Sequence, residues 1–260
     1  MKPIFLLVCG LFSLSAAAAT NPAPSASSLS ADQIVERNVA ARGGLAAWHA
    51  VKTLSIAGQL DAGGQHNTEL PFVMQMKRPH MSRLEVRFGE QTAVQVYDGA
   101  RGWKWRPFLG RDAVEPYTPA EAKSAESWQE LDGPLVDHVQ KGTRVELLGR
   151  ETVEAHNAYK LKLTFKSGEE RHLWVDATSF LELKIDGDPR KLDGKARKVA
   201  IFYRDYKAES GLTVPHTLET VVDGTPSAHK MTIDHVTVNP ALDDTLFAKP
   251  QPQLAKVSNQ

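Results

Sequence analysis

Outside its first apolar stretch the 260-residue chain has no cysteine; the single thiol is Cys9. Its absence from the body of the protein excludes disulfides, thiolate nucleophiles and cysteine-ligated zinc there. A chain without such staples has to be held by its apolar core, which this length permits. An excess of charge of one sign is missing too. The 31 basic residues balance 31 acidic ones, so nothing points to a nucleic-acid partner. No apolar run reaches the ~20 residues that a spanning helix needs, and a mean hydropathy of -0.33 argues against an integral membrane protein.

Catalytic signatures are also missing. There is no G-x-S-x-G, no G-x-x-x-x-G-K-[ST], no H-E-x-x-H and no G-x-G-x-x-G. His229 and His235 fall on one strand-like segment without an evident third ligand, so a solvent-facing or hydrogen-bonded role is the plainer reading. "DGDPRKLDGK" (186–195) does not have the spacing of an EF-hand loop. Asp243-Asp244 and Glu169-Glu170 sit in turn-like contexts where solvated carboxylates are expected. No residue is assigned a catalytic role and no metal or cofactor is expected.

What the chain does have begins with an export signature. Lys2, the apolar "PIFLLVCGLFSL" and the small residues of "SAAAAT" form the three regions of a cleavable signal peptide, with cleavage expected near Ala19. Residues 20–30, "TNPAPSASSLS", read as a flexible linker, 31–250 as a single domain, and 251–260 as a disordered tail.

Within that domain, Ser30 and Gln33 have capping-box spacing before an amphipathic helix that Gly43-Gly44 would end. "KTLSIAGQLD", "TELPFVMQMK", "RLEVRF", "TAVQVY" and "GWKWRPF" then read as a meander of strands, with a turn expected at "DAGGQ". Thr118-Pro119-Ala120-Glu121 opens a helix expected to run through Trp128, and Asp132 is placed to cap a second over Pro134–Lys141. After this helical insertion, around 118–141, strands resume from "YKLKLTFK" to "AHKMTIDHVTVN", with Asp223-Gly224 a hairpin turn between the last two.

The fold class is therefore α+β, with about ten to eleven antiparallel strands. So many strands in one sheet would curl strongly. Helices packed on the concave face would cover an apolar hollow, which suits a hydrophobic-ligand carrier and an ordinary α+β core alike. Trp103 and Trp105, two apart, share a face whether they pack a core or line such a hollow. The flexible side chains of Met74 and Met76 suit either setting.

Three segments carry a family resemblance: Lys77-Arg78-Pro79 at a strand junction, "YDGARGWKWRPF" (97–108), and "VNPALDDTLFAKP" (238–250) with its Phe-x-x-Pro ending. In this order, behind a signal peptide, they resemble the outer-membrane lipoprotein carriers and lipoprotein-sorting proteins of the LolA/LolB-like superfamily. "RGGLAAWHAVKTL" and "HLWVD" are similar to segments of exported relatives. The resemblance implies a strongly bent, incomplete β-barrel with helices as a lid over an apolar cavity. It also implies a non-enzymatic periplasmic carrier that binds lipoprotein acyl chains or a related lipid for transfer toward the outer membrane.

On that reading Phe72, Met74, Leu84, Val86, Trp103 and Trp105 form the cavity wall, and Leu131, Leu135, Val136 and Val139 face inward from the lid. Arg78 is either a latch bonded to lid carbonyls or a surface arginine beside a turn. The partners implied are an inner-membrane donor complex and an outer-membrane receptor, and the chain itself is expected to be a monomer. A lipid-responsive sensor is the alternative, and an enzyme built on the same fold a further one.

Overall fold

In a computed structural model of the chain, the described residues are 29–61, 69–128, 131–192, 194–225 and 228–251. The expected signal peptide, most of the linker and tail, and most of the "DAGGQ" turn lie outside them.

The chain opens with α1 (Ala31–Ala41) and α2 (Leu45–Ala50). Ser30 and Gln33 bond reciprocally: the Ser30 N–H donates to Gln33 Oε1 at 2.9 Å, and the Gln33 N–H to Ser30 Oγ at 3.2 Å. Gly43 then takes a φ of +112°. A β-carbon there would stand 2.4 Å from the Gly211 carbonyl oxygen, so only glycine lets the helix end pack this closely on a strand turn.

Strands β1 (Thr53–Asp61), β2 (Glu69–Lys77), β3 (Met81–Phe88), β4 (Gln91–Asp98), β5 (Gly102–Arg106) and β6 (Arg111–Pro116) follow as a meander. Next comes α3 (Pro119–Trp128), whose first turn is closed by Thr118 and Glu121 bonding to each other's backbone N–H. The second half comprises β7 (Arg144–Val153), β8 (His156–Thr164), β9 (Glu170–Asp176), β10 (Glu182–Leu192), β11 (Lys195–Glu209), β12 (Leu212–Val222) and β13 (His229–Val238).

All thirteen belong to one antiparallel sheet in the order β6-β5-β4-β3-β2-β1-β13-β12-β11-β10-β9-β8-β7. The first and last strands of the domain, β1 and β13, pair at its centre, so the two halves of the chain become the two wings of an open curved sheet. A bulge between Ala57 and Gly58 interrupts that central pairing. A side chain at Gly58 would put its β-carbon 2.0 Å from the Thr232 carbonyl oxygen.

Two expectations are corrected. The sheet has thirteen strands rather than ten or eleven, the additional ones being β6 and β7, its two edges. The segment 134–141 forms successive turns instead of a helix. Asp132 does not act as the expected cap, because Arg78 Nη2 and Lys141 Nζ each donate to its carboxylate at 2.6 Å. Asp137 moreover has a φ of +51°, which a right-handed helix does not accept.

Residues directly opposite on paired strands share a face. Leu54 with Met76, Ile56 with Met74, and Met74 with Leu84 therefore define one side of the sheet. Trp48 and Val51 pack there on Leu54, Met76, Leu212 and Val214, together with Leu131 and Val136. Ile34 and Val35 of α1 pack with Leu135 on Tyr159, Leu161, Leu163, Leu173, Val175 and Ile185. The N-terminal helices and the 131–136 turn thus cover the same face from both wings. On the other face Val94, Val96 and Trp105 bury Phe247 from the C-terminal 3-10 turn, Asp244–Phe247.

Candidate functional site

Packing of the helices on the curved sheet leaves an apolar pocket of about 240 Å³. Leu54, Ile56, Met74, Met76, Leu218 and Ile233 supply its aliphatic side, and Trp48, Leu131 and Pro134 close it from the helix side. Arg42, Glu182, Tyr203, Tyr206 and Arg171 bring polar groups to it.

The backbone explains how Glu182 reaches this face. Pairing of β10 with β9 runs Glu182 to Val175, Lys184 to Trp174 and Ile185 to Leu173, so Leu183 is an extra residue. This bulge turns Glu182 and Ile185, three apart, to the same side. On β11, Asp205 takes a φ of +53° and drops out of the pairing between Arg204 and Tyr206. Tyr203 and Tyr206, also three apart, then both line the pocket.

Glu182 joins these groups. Its Oε1 lies 3.3 Å from Arg42 Nη1, and the Tyr206 hydroxyl lies 3.1 Å from its Oε2 and 3.0 Å from its backbone oxygen. Arg42 Nη1 also donates to the Asp132 carbonyl at 2.9 Å, and the guanidinium stacks 4.5 Å from the Trp48 ring centre. Burial, and then the Glu182 carboxylate, push the Tyr203 and Tyr206 hydroxyls well above the ordinary phenol range.

Beside the pocket, Arg78 spans three elements. Its Nε donates to the Val51 carbonyl at 2.8 Å, and its Nη2 to the Trp48 carbonyl at 3.1 Å and to Asp132 Oδ2 at 2.6 Å. The side chain of Asp132 is only 1% exposed. Burial pushes its carboxyl up, but the Lys141 ammonium and Arg78 guanidinium outweigh that and hold it below the usual carboxylate range.

A second hollow, of about 570 Å³, adjoins Val153, His156, Asp176 and Arg204. Its charges are engaged with each other: Arg204 bonds Glu154 and Glu219, and Asp176 accepts from Ser179, Thr178 and His156. Among the described residues no group of three or more His, Asp or Glu side chains is placed to hold a metal ion.

No protein-family model matches the chain, and no curated protein matches it in sequence. Solved structures do match. A LolA superfamily protein from Nitrosomonas europaea superposes with a TM-score of 0.57 at 14% identity, over 85% of this chain and 99% of that one. A DUF1329 family protein from Desulfovibrio piger gives 0.56 at 16% identity, over 84% and 97%. A domain from Vibrio parahaemolyticus named for outer-membrane lipoprotein sorting gives 0.55 at 13%, over 86% and 97%.

The fold is LolA-like.

Within the LolA-like fold the residues expected from sequence are dispersed. Met74 and Leu131 line the pocket. Phe72, Leu84 and Val86 share the face of Met74, by the pairings Phe72–Val86 and Met74–Leu84, but stand outside the pocket lining. Leu135 and Val136 are fully buried against the sheet rather than in contact with the pocket.

Three placements run against expectation. Trp103 and Trp105 pair with Val96 and Val94, which puts them on the opposite face, beneath Phe247. The tryptophan spacing predicts a shared face but cannot tell which one. Val139 is 74% exposed, because 134–141 has no helical face to turn inward.

The polar residues at the pocket were not expected. Arg42 follows a helix as an ordinary C-terminal cation would, and Glu182 in "FLELKID" sits where alternation points it to solvent. Only the irregularities at Leu183 and Asp205 bring Glu182 and the tyrosines together, and neither has a distinctive residue pattern.

Proposed function

We propose that the protein is a non-enzymatic periplasmic carrier that shelters an acyl chain, of a lipoprotein or a related lipid, for transfer toward the outer membrane. The observation that carries this is the apolar pocket between the curved sheet and the cover formed by α2 and the 131–134 turn. The LolA-like fold supports it, since one similar structure is named for outer-membrane lipoprotein sorting.

Size makes the present arrangement the closed one. A cavity of about 150 Å³ holds benzene, so 240 Å³ admits roughly one short alkyl segment and not several long chains. Larger cargo requires α2 and the 131–136 turn to move off the sheet. Arg78 is the latch on that movement, tying the end of α2 to Asp132. Charge-assisted hydrogen bonds of this kind contribute roughly 1.5–3 kcal/mol each, whereas each CH₂ taken from water gains ~0.8 kcal/mol. A few methylenes therefore offset one of its bonds, and an acyl chain opens what an empty pocket keeps shut.

The test is displacement of the apolar dye 1-N-phenylnaphthylamine by a diacylated lipopeptide. The parent is expected to bind the dye and release it to the lipopeptide. Absence of dye binding by the parent, or equal binding by Met74→Glu, contradicts an acyl site at this pocket.

A further inference from the structure

The aliphatic lining accounts for an acyl chain but not for the polar groups set among it. Arg42 is 8% exposed, and its Nε has no hydrogen-bond partner. An unbonded buried donor of this kind is costly to the fold unless a ligand completes it. Tyr203, on the neighbouring β11, lines the same pocket, and no hydrogen bond engages its hydroxyl among the described residues. Two donors on pocket-lining residues are therefore spare: Tyr203 O–H, and Arg42 Nε–H, which lies buried beneath the lining.

The acceptors there are already taken. Glu182 Oε1 accepts from Arg42 and Oε2 from Tyr206. Arg171, the other cation in the lining, is tied to Glu169 and Asp188. The charge of Arg42 is thus balanced by Glu182, and that of Arg171 by its own carboxylates. A carboxylate brought to this spot would be a buried charge without a counter-charge, which is strongly disfavoured. An uncharged oxygen acceptor meets no such penalty.

We infer that the pocket recognises the carbonyl oxygen of an acyl ester, held by the Tyr203 hydroxyl and, once the cover has moved, by Arg42 Nε, with its alkyl chain along Leu54, Ile56 and Met74. The inference rests on the acyl-binding reading and adds the head-group chemistry to it. Burial keeps the Tyr203 phenol protonated across the physiological range, so the donor is always present. The bulge at Leu183 then has a purpose: it brings Glu182 to the face where it neutralises Arg42 and holds the guanidinium in place. Glycerol-linked lipids and lipoprotein acyl groups both present such an ester.

The experiment displaces 1-N-phenylnaphthylamine with methyl decanoate, sodium decanoate and decane, using the parent, Tyr203→Phe and Arg42→Lys. Phenylalanine keeps the ring and removes only the hydroxyl, so Tyr203→Phe remains informative if Arg42→Lys does not fold. The parent is expected to prefer methyl decanoate over both other probes. Tyr203→Phe is expected to weaken the ester by about two- to tenfold, the usual span for one hydrogen bond, and to leave decane unchanged. Equal affinity of the parent for ester and decane, tighter binding of decanoate, or an unchanged ester affinity in Tyr203→Phe overturns the head-group assignment while leaving the acyl site standing. Failure of every probe to bind the parent overturns both.

Discussion

Lys77 and Arg78 are neighbours that fasten opposite faces of one sheet. Lys77 Nζ donates to the Leu242 carbonyl at 2.9 Å and pairs with Asp244 at 2.6 Å, holding the C-terminal segment on one side. Arg78 bonds Val51, Trp48 and Asp132 on the other. Successive side chains at a strand end point to opposite sides, so two adjacent cations secure both coverings at a single position.

Arg78→Leu should leave the sheet folded and release α2. The expected loss is about 2–4 kcal/mol, less than three full charge-assisted bonds because the Arg78 side chain is 30% exposed and water replaces part of each, while Asp132 keeps Lys141. Amide exchange should quicken at residues 48–51 and 131–133 and hold steady in β8 and β9. Captured lipid should then be released poorly. Exchange matching the parent's would reduce Arg78 to a surface arginine.

Acid should loosen the same contact. The Asp132 carboxyl is held below its ordinary value in the folded protein, so its ion pairs contribute fully above that ordinary value, near 3.8. The contribution falls away as pH drops through the lower folded value. Asp132→Asn removes this dependence. Unfolding midpoints of parent and variant should differ most near neutrality and converge in strong acid; a constant gap would contradict the assignment.

Met74→Glu and Trp103→Glu should separate the two faces. The first sets a charge in the pocket and should abolish dye binding. The second disturbs the cluster under Phe247 and should lower stability while the folded fraction still binds. Loss of binding in folded Trp103→Glu alone would put the ligand on the wrong side of the sheet.

Phe247→Ala should cost about 3–5 kcal/mol, as truncation of a buried aromatic usually does. Its ring packs on Val94, Val96 and Trp105, away from the pocket, so dye affinity at saturating folded protein should not change. Chemical denaturation and dye titration on the same samples check both halves.

The central strands were legible because they alternate cleanly: "RLEVRF" and "YKLKLTFK" each present one apolar face. The edge strands β6 and β7 were not. "RDAVEP" is short and mostly polar, and "RVELLGRETV" carries charges on both sides, as an edge that must resist further pairing often does. Helix ends with reciprocal caps, Ser30–Gln33 and Thr118–Glu121, read correctly. Asp132 misled because its partners, Arg78 and Lys141, lie 54 and 9 residues away. Local spacing showed a cap where tertiary contact made an ion-pair hub. The pocket's polar end was hidden for a related reason: Glu182, Tyr203 and Tyr206 converge only through strand irregularities.

The most direct measurement is native mass spectrometry of protein isolated from its own cells without detergent. A carrier of this kind shows a mass adduct corresponding to a lipoprotein or an acyl lipid, lost on Met74→Glu. An empty chain that also fails to bind 1-N-phenylnaphthylamine would contradict a carrier function.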